Sequence, residues 1–452
     1  MPLQEFPHGG KVIPLRKPIM HRPAILLALI LWCSTAAAQA TFNVRDFGAK
    51  GDANTDDTAA IQATIDAALG LTSDKARKAA VAAPTTLYAS GSVTLPAGTY
   101  KITRPLKFWG VMYLRFLGEG GSTRLYPVGK MDAVLDINGA SNCEFANFRI
   151  EGRDNNEAIQ NAIYFYWDGM TGRASASCNF HDISVLGTRC VTGFRIGKQG
   201  SGVQVDTSAY RNITLYGGWN PGETNWWKCG LYVGTDVFAN CLVHAFYDPS
   251  ITHWGEGAHV SVTNFNLVGG NFGGNGIDLV AHTLSYFSVQ GVRSEKSGRF
   301  LVSGTGYSNS SANFSLSDIL FWPDSLASDG QVIQFAQNGT LAIRNFTIPP
   351  GPTSPVAMVN PGRSCSLIID GITCTSSPDA FLSRTTDKVD VSIRGFVTER
   401  QDGKGFSSAI DGILTSGRIR WRGSGDLWSQ KGYLMFKSDN GKVSTLATPE
   451  KR

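Results

Sequence analysis

Charge is sparse in this chain of 452 residues: Asp, Glu, Lys and Arg together make up 17% of it, and neither sign dominates. So sparse a set of charges excludes a coiled coil laced with ion pairs and a disordered polyelectrolyte. The formal net charge of +5 shrinks once the first forty residues are set apart, because Lys11, Arg16, Lys17 and Arg22 stand there against Glu5 alone. The remainder holds 37 basic and 35 acidic residues, a balance that gives no electrostatic reason to bind nucleic acid or an anionic membrane. Long apolar runs are missing too: residues 24–32 are nine apolar residues, well short of the ~20 that a membrane-spanning helix needs. No CxxC pair or His/Cys cluster has zinc-site spacing, so the thiols imply no metal.

The short apolar run does have a reading. It follows His21 and Arg22 and ends in Ala36-Ala37-Ala38-Gln39-Ala40, the pattern of a secretory signal peptide cleaved near Ala40. Residues 1–40 are therefore expected to be a leader, starting at Met1 or Met20, and the mature protein to be secreted, periplasmic or on the cell surface. Seven cysteines follow: 143, 178, 190, 229, 241, 365 and 374. Cys178/Cys190, Cys229/Cys241 and Cys365/Cys374 are near enough in sequence to close short disulfide loops in an oxidising compartment. Burial as apolar thiols is the other reading.

With 51 glycines and 42% hydrophobic residues, the chain can build a large core out of many turns. A short pattern recurs through it: Asn, Asp or Gly followed by alternating apolar residues. It appears as Asn147-Phe148-Arg149-Ile150, Asp182-Ile183-Ser184-Val185 and Asn212-Ile213-Thr214-Leu215, then more loosely at Asn240-Cys241, Asn264-Phe265, Gly291-Val292, Asp318-Ile319, Asn345-Phe346, Gly371-Ile372 and Gly395-Phe396. The anchors lie 24 to 35 residues apart. That period is too short for a propeller blade, and alternation by two marks strands rather than helices. Asn, Asp and Gly tolerate a left-handed backbone, so each marks a sharp bend recurring on every turn of a solenoid. The expected fold is all-β, a right-handed parallel β-helix over 93–422. A cap over 41–92 precedes it, with a helix beginning after Asp56 or Asp57, and a tail over 423–452 follows.

Phe42-Asn43-Val44-Arg45-Asp46-Phe47-Gly48-Ala49-Lys50-Gly51-Asp52, then Asn54-Thr55-Asp56-Asp57, together with Val93-Thr94-Leu95-Pro96-Ala97-Gly98-Thr99-Tyr100 and Leu117-Gly118-Glu119-Gly120, resemble the opening of the pectate-lyase-like superfamily. That group includes rhamnogalacturonase, epimerase-like and polygalacturonase-related proteins and phage tailspikes. The resemblance implies an exported protein acting on a uronate-containing polysaccharide. Calcium is the cofactor to expect of a lyase, and three-chain association the one to expect of a tailspike-like relative. It supplies no active site: no Gly-His-Gly occurs, and Arg195-Ile196-Gly197-Lys198 only approximates the hydrolase Arg-Ile-Lys.

A solenoid builds its site on an outward sheet face, where residues align from coil to coil. With Ile163/Phe165, Phe194/Ile196, Leu231/Val233 and Ile277/Leu279 inward, Tyr164, Arg195, Tyr232 and Asp278 are expected to share one face. Arg195 would neutralise a substrate carboxylate, Tyr232 hydrogen-bond or relay a proton, and Asp278 act as base or hold a cation. Asp206, Asp236, Glu256 and Glu295 are candidate partner carboxylates; for Glu295 the plain alternative is an ion pair with Lys296 or Arg299. Tyr164 and the loop residues Trp219, Trp226, Trp227 and Trp254 are expected to stack on sugar faces, against the alternative that they pack on the solenoid. His244, His253 and His259 lie close by. Two functions follow: an enzyme cleaving an acidic polysaccharide by elimination or hydrolysis, and a non-catalytic glycan-binding or adhesion solenoid.

Overall fold

The structure, a computed structural model, describes residues 40–71, 86–152, 159–169, 174–198, 205–234, 244–282, 286–304 and 311–349, and the strand segments 357–361, 365–374, 380–382, 389–398, 419–421, 425–430, 433–438 and 443–447. The described segments lie in a compact unit spanning Thr41–Arg452, apart from Ala40 at its edge. The leader expected over residues 1–40, Ala40 excepted, lies outside the described residues.

The chain forms a right-handed parallel β-helix. One sheet holds eleven strands, from Leu106–Trp109 through Met131–Asn138, Ile159–Tyr166, Cys190–Ile196, Cys229–Gly234 and Glu256–Ser261 to Ala380–Leu382, each paired in parallel with the next. The larger sheet gathers most of the remaining strands and holds twenty, while Leu87–Tyr88 with Val111–Met112 and Ser175–Ala176 with Val205–Asp206 form two separate pairs. Parallel pairing throughout the two large sheets excludes a propeller.

Between the sheets the inward residues stack on their copies. Phe145, Phe180, Tyr210, Phe246, Phe265, Phe287 and Phe314 form a continuous aromatic column with ring centroids 4.3 to 5.5 Å apart. The coil spacing of ~4.8 Å is close to the stacking distance of flat rings, which is why aromatics fill this column so readily.

The bends form a second column. Asn147, Asp182, Asn212, Asp248, Gly269, Gly291, Asp318, Asn345 and Gly371 occupy equivalent places in successive coils, and all have positive φ. Their side chains also join across coils: Asn212 Nδ2 donates to Asp182 Oδ1 at 3.0 Å, and Asn345 Nδ2 to Asp318 Oδ1 at 2.9 Å. Seven of the nine are the bends read from the repeat. The exceptions are Asp248 and Gly269, which stand where Asn240 and Asn264 were expected. Asn240 lies outside the described residues, and Asn264 begins a strand that pairs with Tyr286. A near-constant period hides this, because one coil here is long and the two after it are short.

The front cover is the helix Thr58–Ala68, whose Ile61, Ile65 and Ala68 are buried. Asp56 caps it, its Oδ1 accepting from the Thr58 amide at 3.0 Å. Asp57 instead turns back to accept from the amides of Lys50 and Gly51. In the tail, Gly425–Gln430, Tyr433–Ser438 and Val443–Ala447 form an antiparallel sheet. Cys143, Cys178, Cys190 and Cys229 are buried free thiols, so neither the expected Cys178/Cys190 bridge nor the Cys229/Cys241 bridge is formed; Cys241 lies outside the described residues. Among the described residues no helix is long and apolar enough to cross a membrane.

Two substitutions test the columns. Phe287→Ala should cost about 3–5 kcal/mol through the cavity it opens. Asn345→Val should cost about 1–3 kcal/mol because a β-branched residue strains the left-handed bend, while Asn345→Gly stays near wild type. Thermal unfolding of the three variants reads both.

Candidate functional site

On the eleven-stranded sheet, strict register sets one outward row: Lys107, Asp136, Tyr164, Arg195, Tyr232 and His259 follow one another coil by coil. The next two members, Val280 and Val302, are apolar, so the polar row ends at His259. Each polar member is flanked by inward apolar residues, as Arg195 is by Phe194 and Ile196.

The side chains stack as well. The Arg195 guanidinium lies 4.5 Å from the Tyr232 ring centroid and 5.8 Å from that of Tyr164. Tyr232 stacks on His259 at 4.8 Å and 10°, and His259 meets His282 at 5.1 Å. Toward the front, Tyr164 stacks on Tyr166 at 4.0 Å, and Lys107 Nζ sits 4.4 Å from the Trp109 ring centroid.

Three features give this row chemical character. First, Arg195 Nε and Nη2 are buried and make no hydrogen bond, a costly state for cationic donors. Second, His259 Nδ1 donates to Glu256 Oε2 at 2.8 Å, which in the neutral ring leaves Nε2 as the basic nitrogen. Third, burial alters the titrating neighbours. It pushes the Asp136 carboxyl up, against the opposing pull of Trp109, Tyr166 and Lys107. It also raises the Tyr164 and Tyr166 hydroxyls, and it lowers the His282 ring, with nearby His259 adding to the effect. His282 Nδ1 is buried without a hydrogen bond.

Arg195, Tyr232 and Tyr164 are thus brought together as expected, and Glu256 joins them through His259. Asp278 does not. It is fully buried, with Oδ1 accepting from Asn275 Nδ2 at 3.0 Å and Oδ2 bound by the Ser294 hydroxyl. The simple alternation fails because the strand bends as it starts: Asp278 continues the column of Gly193, Gly230 and Gly257, and a Cβ at Gly230 would fall on the interior side chains of Ile251 and Trp254. Those glycines also explain Trp254. They clear space for its indole, which is fully buried and donates from Nε1 to the Leu215 carbonyl at 3.0 Å, so it is core and not a sugar platform.

Glu295 is on the other sheet, in Arg293–Glu295, and pairs with Arg293 rather than Lys296 or Arg299. Asp206 belongs to a separate two-stranded sheet, and Asp236 lies outside the described residues. His253 meets the Tyr216 ring at a tilt, with centroids 4.8 Å apart, and the His244 side chain is not described. Trp219, Trp226 and Trp227 are half-buried. Trp227 Nε1 donates to the Thr188 carbonyl at 3.0 Å, and Trp226 lies under Arg189 at 4.9 Å, beside the start of the strand Cys190–Ile196. Trp109, Asp136, Tyr166 and His282 were missed, although Leu135-Asp136-Ile137 carries the same alternation one coil ahead of Tyr164.

Residues 41–127 match the family described as rhamnogalacturonase A/epimerase, pectate lyase-like, and the resemblance read from residues 42–120 holds over that stretch. A stretch of 62 residues is 47% identical to "Alginate lyase 7" of Azotobacter vinelandii, covering 14% of this chain and only 5% of that protein. Among solved structures, the catalytic unit of the GH87 alpha-1,3-glucanase from Streptomyces thermodiastaticus is 15% identical, with 88% of this chain and 72% of that one covered at a TM-score of 0.48. The mannuronan C-5 epimerase AlgE6 A-module of Azotobacter vinelandii is 16% identical, with 79% and 94% covered at 0.36. PfbA, a surface adhesin of Streptococcus pneumoniae, is 11% identical, with 90% and 100% covered at 0.42.

The interior carboxyl of Asp278 gives a stability prediction. Burial, outweighing the bonds from Ser294, Ser297 and Asn275, pushes it up to about 6 from 3.8. Between those values the folded state holds a proton that the unfolded chain has released, so stability falls as pH rises from about 4 to 6, by at most ~3 kcal/mol. Asp278→Asn should flatten that slope in urea unfolding curves taken across the window.

Proposed function

We propose that this chain is an exported polysaccharide lyase whose substrate, a uronate-containing polymer, lies along the outward row from Asp136 to His259. The observation that carries the reading is the Arg195 guanidinium, buried between two tyrosine rings with Nε and Nη2 unpartnered. A planar carboxylate satisfies two such donors at once, which is why guanidinium is suited to that group.

With a uronate carboxylate on Arg195, the proton on the adjacent carbon becomes acidic, and the guanidinium stabilises the enolate that forms when it leaves. His259 Nε2, oriented by Glu256, takes that proton. The electron pair forms the ring double bond and expels the glycosidic oxygen, which receives a proton from Tyr232, held between Arg195 and His259. Hydrolysis suits the row less well. Its carboxylates Asp136 and Glu256 stand four coils apart, ~19 Å at the coil spacing, whereas paired hydrolytic carboxylates need ~5 to 9.5 Å. Among the described residues no three His, Cys, Asp or Glu side chains converge as a metal site, so they do not fit a calcium ion and no step is routed through one. The family matched by residues 41–127 and the name of the alginate lyase relative support a carbohydrate-active protein.

Glycan binding without turnover is the second reading. The exposed Tyr216, Tyr247, Tyr286 and Trp322 on the twenty-stranded sheet favour it, since such rings can hold sugars without an acid or base.

Incubation of the protein with a panel of uronate polysaccharides, followed by ultraviolet absorbance of unsaturated chain ends, decides between them. Arg195→Met should lower the elimination rate by about 10²–10³-fold, the cost of losing a charge-stabilising donor. Retention of a polysaccharide without any product would favour binding. New reducing ends without absorbance would overturn elimination.

A further inference from the structure

Sequence proximity pairs Cys178 with Cys190, but the register of the coils gives it another partner. The geometry points to a disulfide between Cys143 and Cys178, one coil apart, that closes a single turn of the solenoid into a covalent ring. In this structure both thiols are reduced.

Cys143 and Cys178 stand opposite one another. Ser141 bridges to Ala176 on one side of them, Glu144 pairs with Asn179 on the other, and the Asn179 amide donates to the Cys143 carbonyl at 2.8 Å. Each cysteine follows a left-handed residue, Asn142 or Ser177, so both backbones turn alike and both side chains enter the core. The two thiols are buried and in hydrogen-bond contact. Adjacent parallel strands hold paired Cα atoms ~4.8 Å apart, inside the ~4.4–6.8 Å that a disulfide spans. Cys190 and Cys229 do not match in this way. Cys190 lies level with Trp227, whose amide donates to its carbonyl, while Cys229 faces Thr192. That offset of two residues separates their Cα atoms by ~8 Å, beyond the reach of a disulfide.

Oxidation strands no buried acceptor. The Cys143 thiol donates to the carbonyls of Ser141 and Val111 at 3.3 and 3.6 Å, and the Cys178 thiol to those of Ala140 and Ala176 at 3.4 and 3.5 Å. These four carbonyls also accept backbone amides, from Tyr113, Ser141, Ala176 and Asn142 respectively, and so stay satisfied when the thiol hydrogens leave. The reaction takes an oxidant of the disulfide class, such as oxidised glutathione. One cysteine thiolate attacks it, releasing one thiol and leaving a mixed disulfide, from which the second cysteine thiolate displaces the other. Two protein thiols become one S–S bond, and their protons depart on the two thiols made from the oxidant. Burial and the adjoining Cys143 raise the Cys178 thiol well above its ordinary value, so the closed core is unreactive. The bond therefore forms during folding, before this turn is covered. It then holds one whole coil as a ring, including Tyr164, which faces Arg195 in the next.

Trypsin separates the cysteines concerned: Cys143 falls in residues 131–149, Cys178 in 174–189, and Cys190 begins the peptide after that. The full chain is refolded in a glutathione redox buffer, its remaining thiols are alkylated, and the unreduced tryptic peptides are weighed. Peptides 131–149 and 174–189 should appear as one species, lighter than their sum by two hydrogens and split by reductant. Finding both alkylated, or Cys178 joined to Cys190, would overturn the proposal. If refolding fails, the chain produced folded in a host with an oxidising cytoplasm gives the same map and decides in the same way. In Cys143→Ser, Cys178 should be recovered alkylated and not joined to another cysteine. Closing a loop of about 35 residues restricts the unfolded chain, so oxidation should raise the thermal midpoint of wild type about 3–6 °C more than that of Cys143→Ser. An equal rise in both would count against a bridge that holds this turn. None of these outcomes depends on export or on the lyase reading.

Discussion

The spacing of parallel strands governs everything else in this molecule. Each coil repeats the one below it at ~4.8 Å, so a side chain is positioned chiefly by its copy in the next coil. Inside, this yields the aromatic column from Phe145 to Phe314, where flat rings meet at close to their preferred separation. At the bends it yields the left-handed Asn, Asp and Gly column, whose amides bond upward from coil to coil. Outside, it lines up Asp136, Tyr164, Arg195, Tyr232 and His259 although 123 residues separate the first from the last. A straight polymer lying along the solenoid would meet them in that order.

Such a row lets neighbouring groups tune one another. Among the described residues Arg195 pairs with no carboxylate and is held by the faces of two tyrosines, which leaves Nε and Nη2 for an incoming anion. His259 is treated differently. Glu256 fixes which of its nitrogens carries the proton, and Tyr232 covers one face of its ring. The front of the row, by contrast, gathers carboxyls around Asp136. The groove therefore changes sign along its length, a polarity that a row of repeated identical residues would lack.

The repeat, the parallel solenoid and the capping helix were legible in the sequence because each depends on local rules: period-two alternation, bend residues at fixed places and an apolar stripe behind Asp56 and Asp57. Arg195 and Tyr232 were legible for the same reason, each flanked by two inward apolar residues. Asp278 was not. A bend of one residue at the start of its strand sends it inward, and nothing local distinguishes Leu279 after Asp278 from Val233 after Tyr232. Trp254 misled in a related way. It sits in a Gly-rich loop that looks exposed, but Gly193 and Gly230, far away in sequence, open the cavity that receives it. His259 drew notice only as one of several histidines, since its pairing with Glu256 and its stacking on Tyr232 emerge once the coils are superposed. The shift of the bends to Asp248 and Gly269 had no local sign beyond the Asp248-Pro249 step.

The helix Thr58–Ala68 seals the first turn, with Ile61 and Ile65 plugging the opening. Growth by duplication is thereby confined to the body of the stack, where inserting one whole turn keeps every ladder intact. A turn added between Tyr164 and Arg195 would preserve the architecture while lengthening the ruler against which a chain of sugars is measured. Specificity in this scaffold can thus change in whole-turn increments, without any groove residue being replaced.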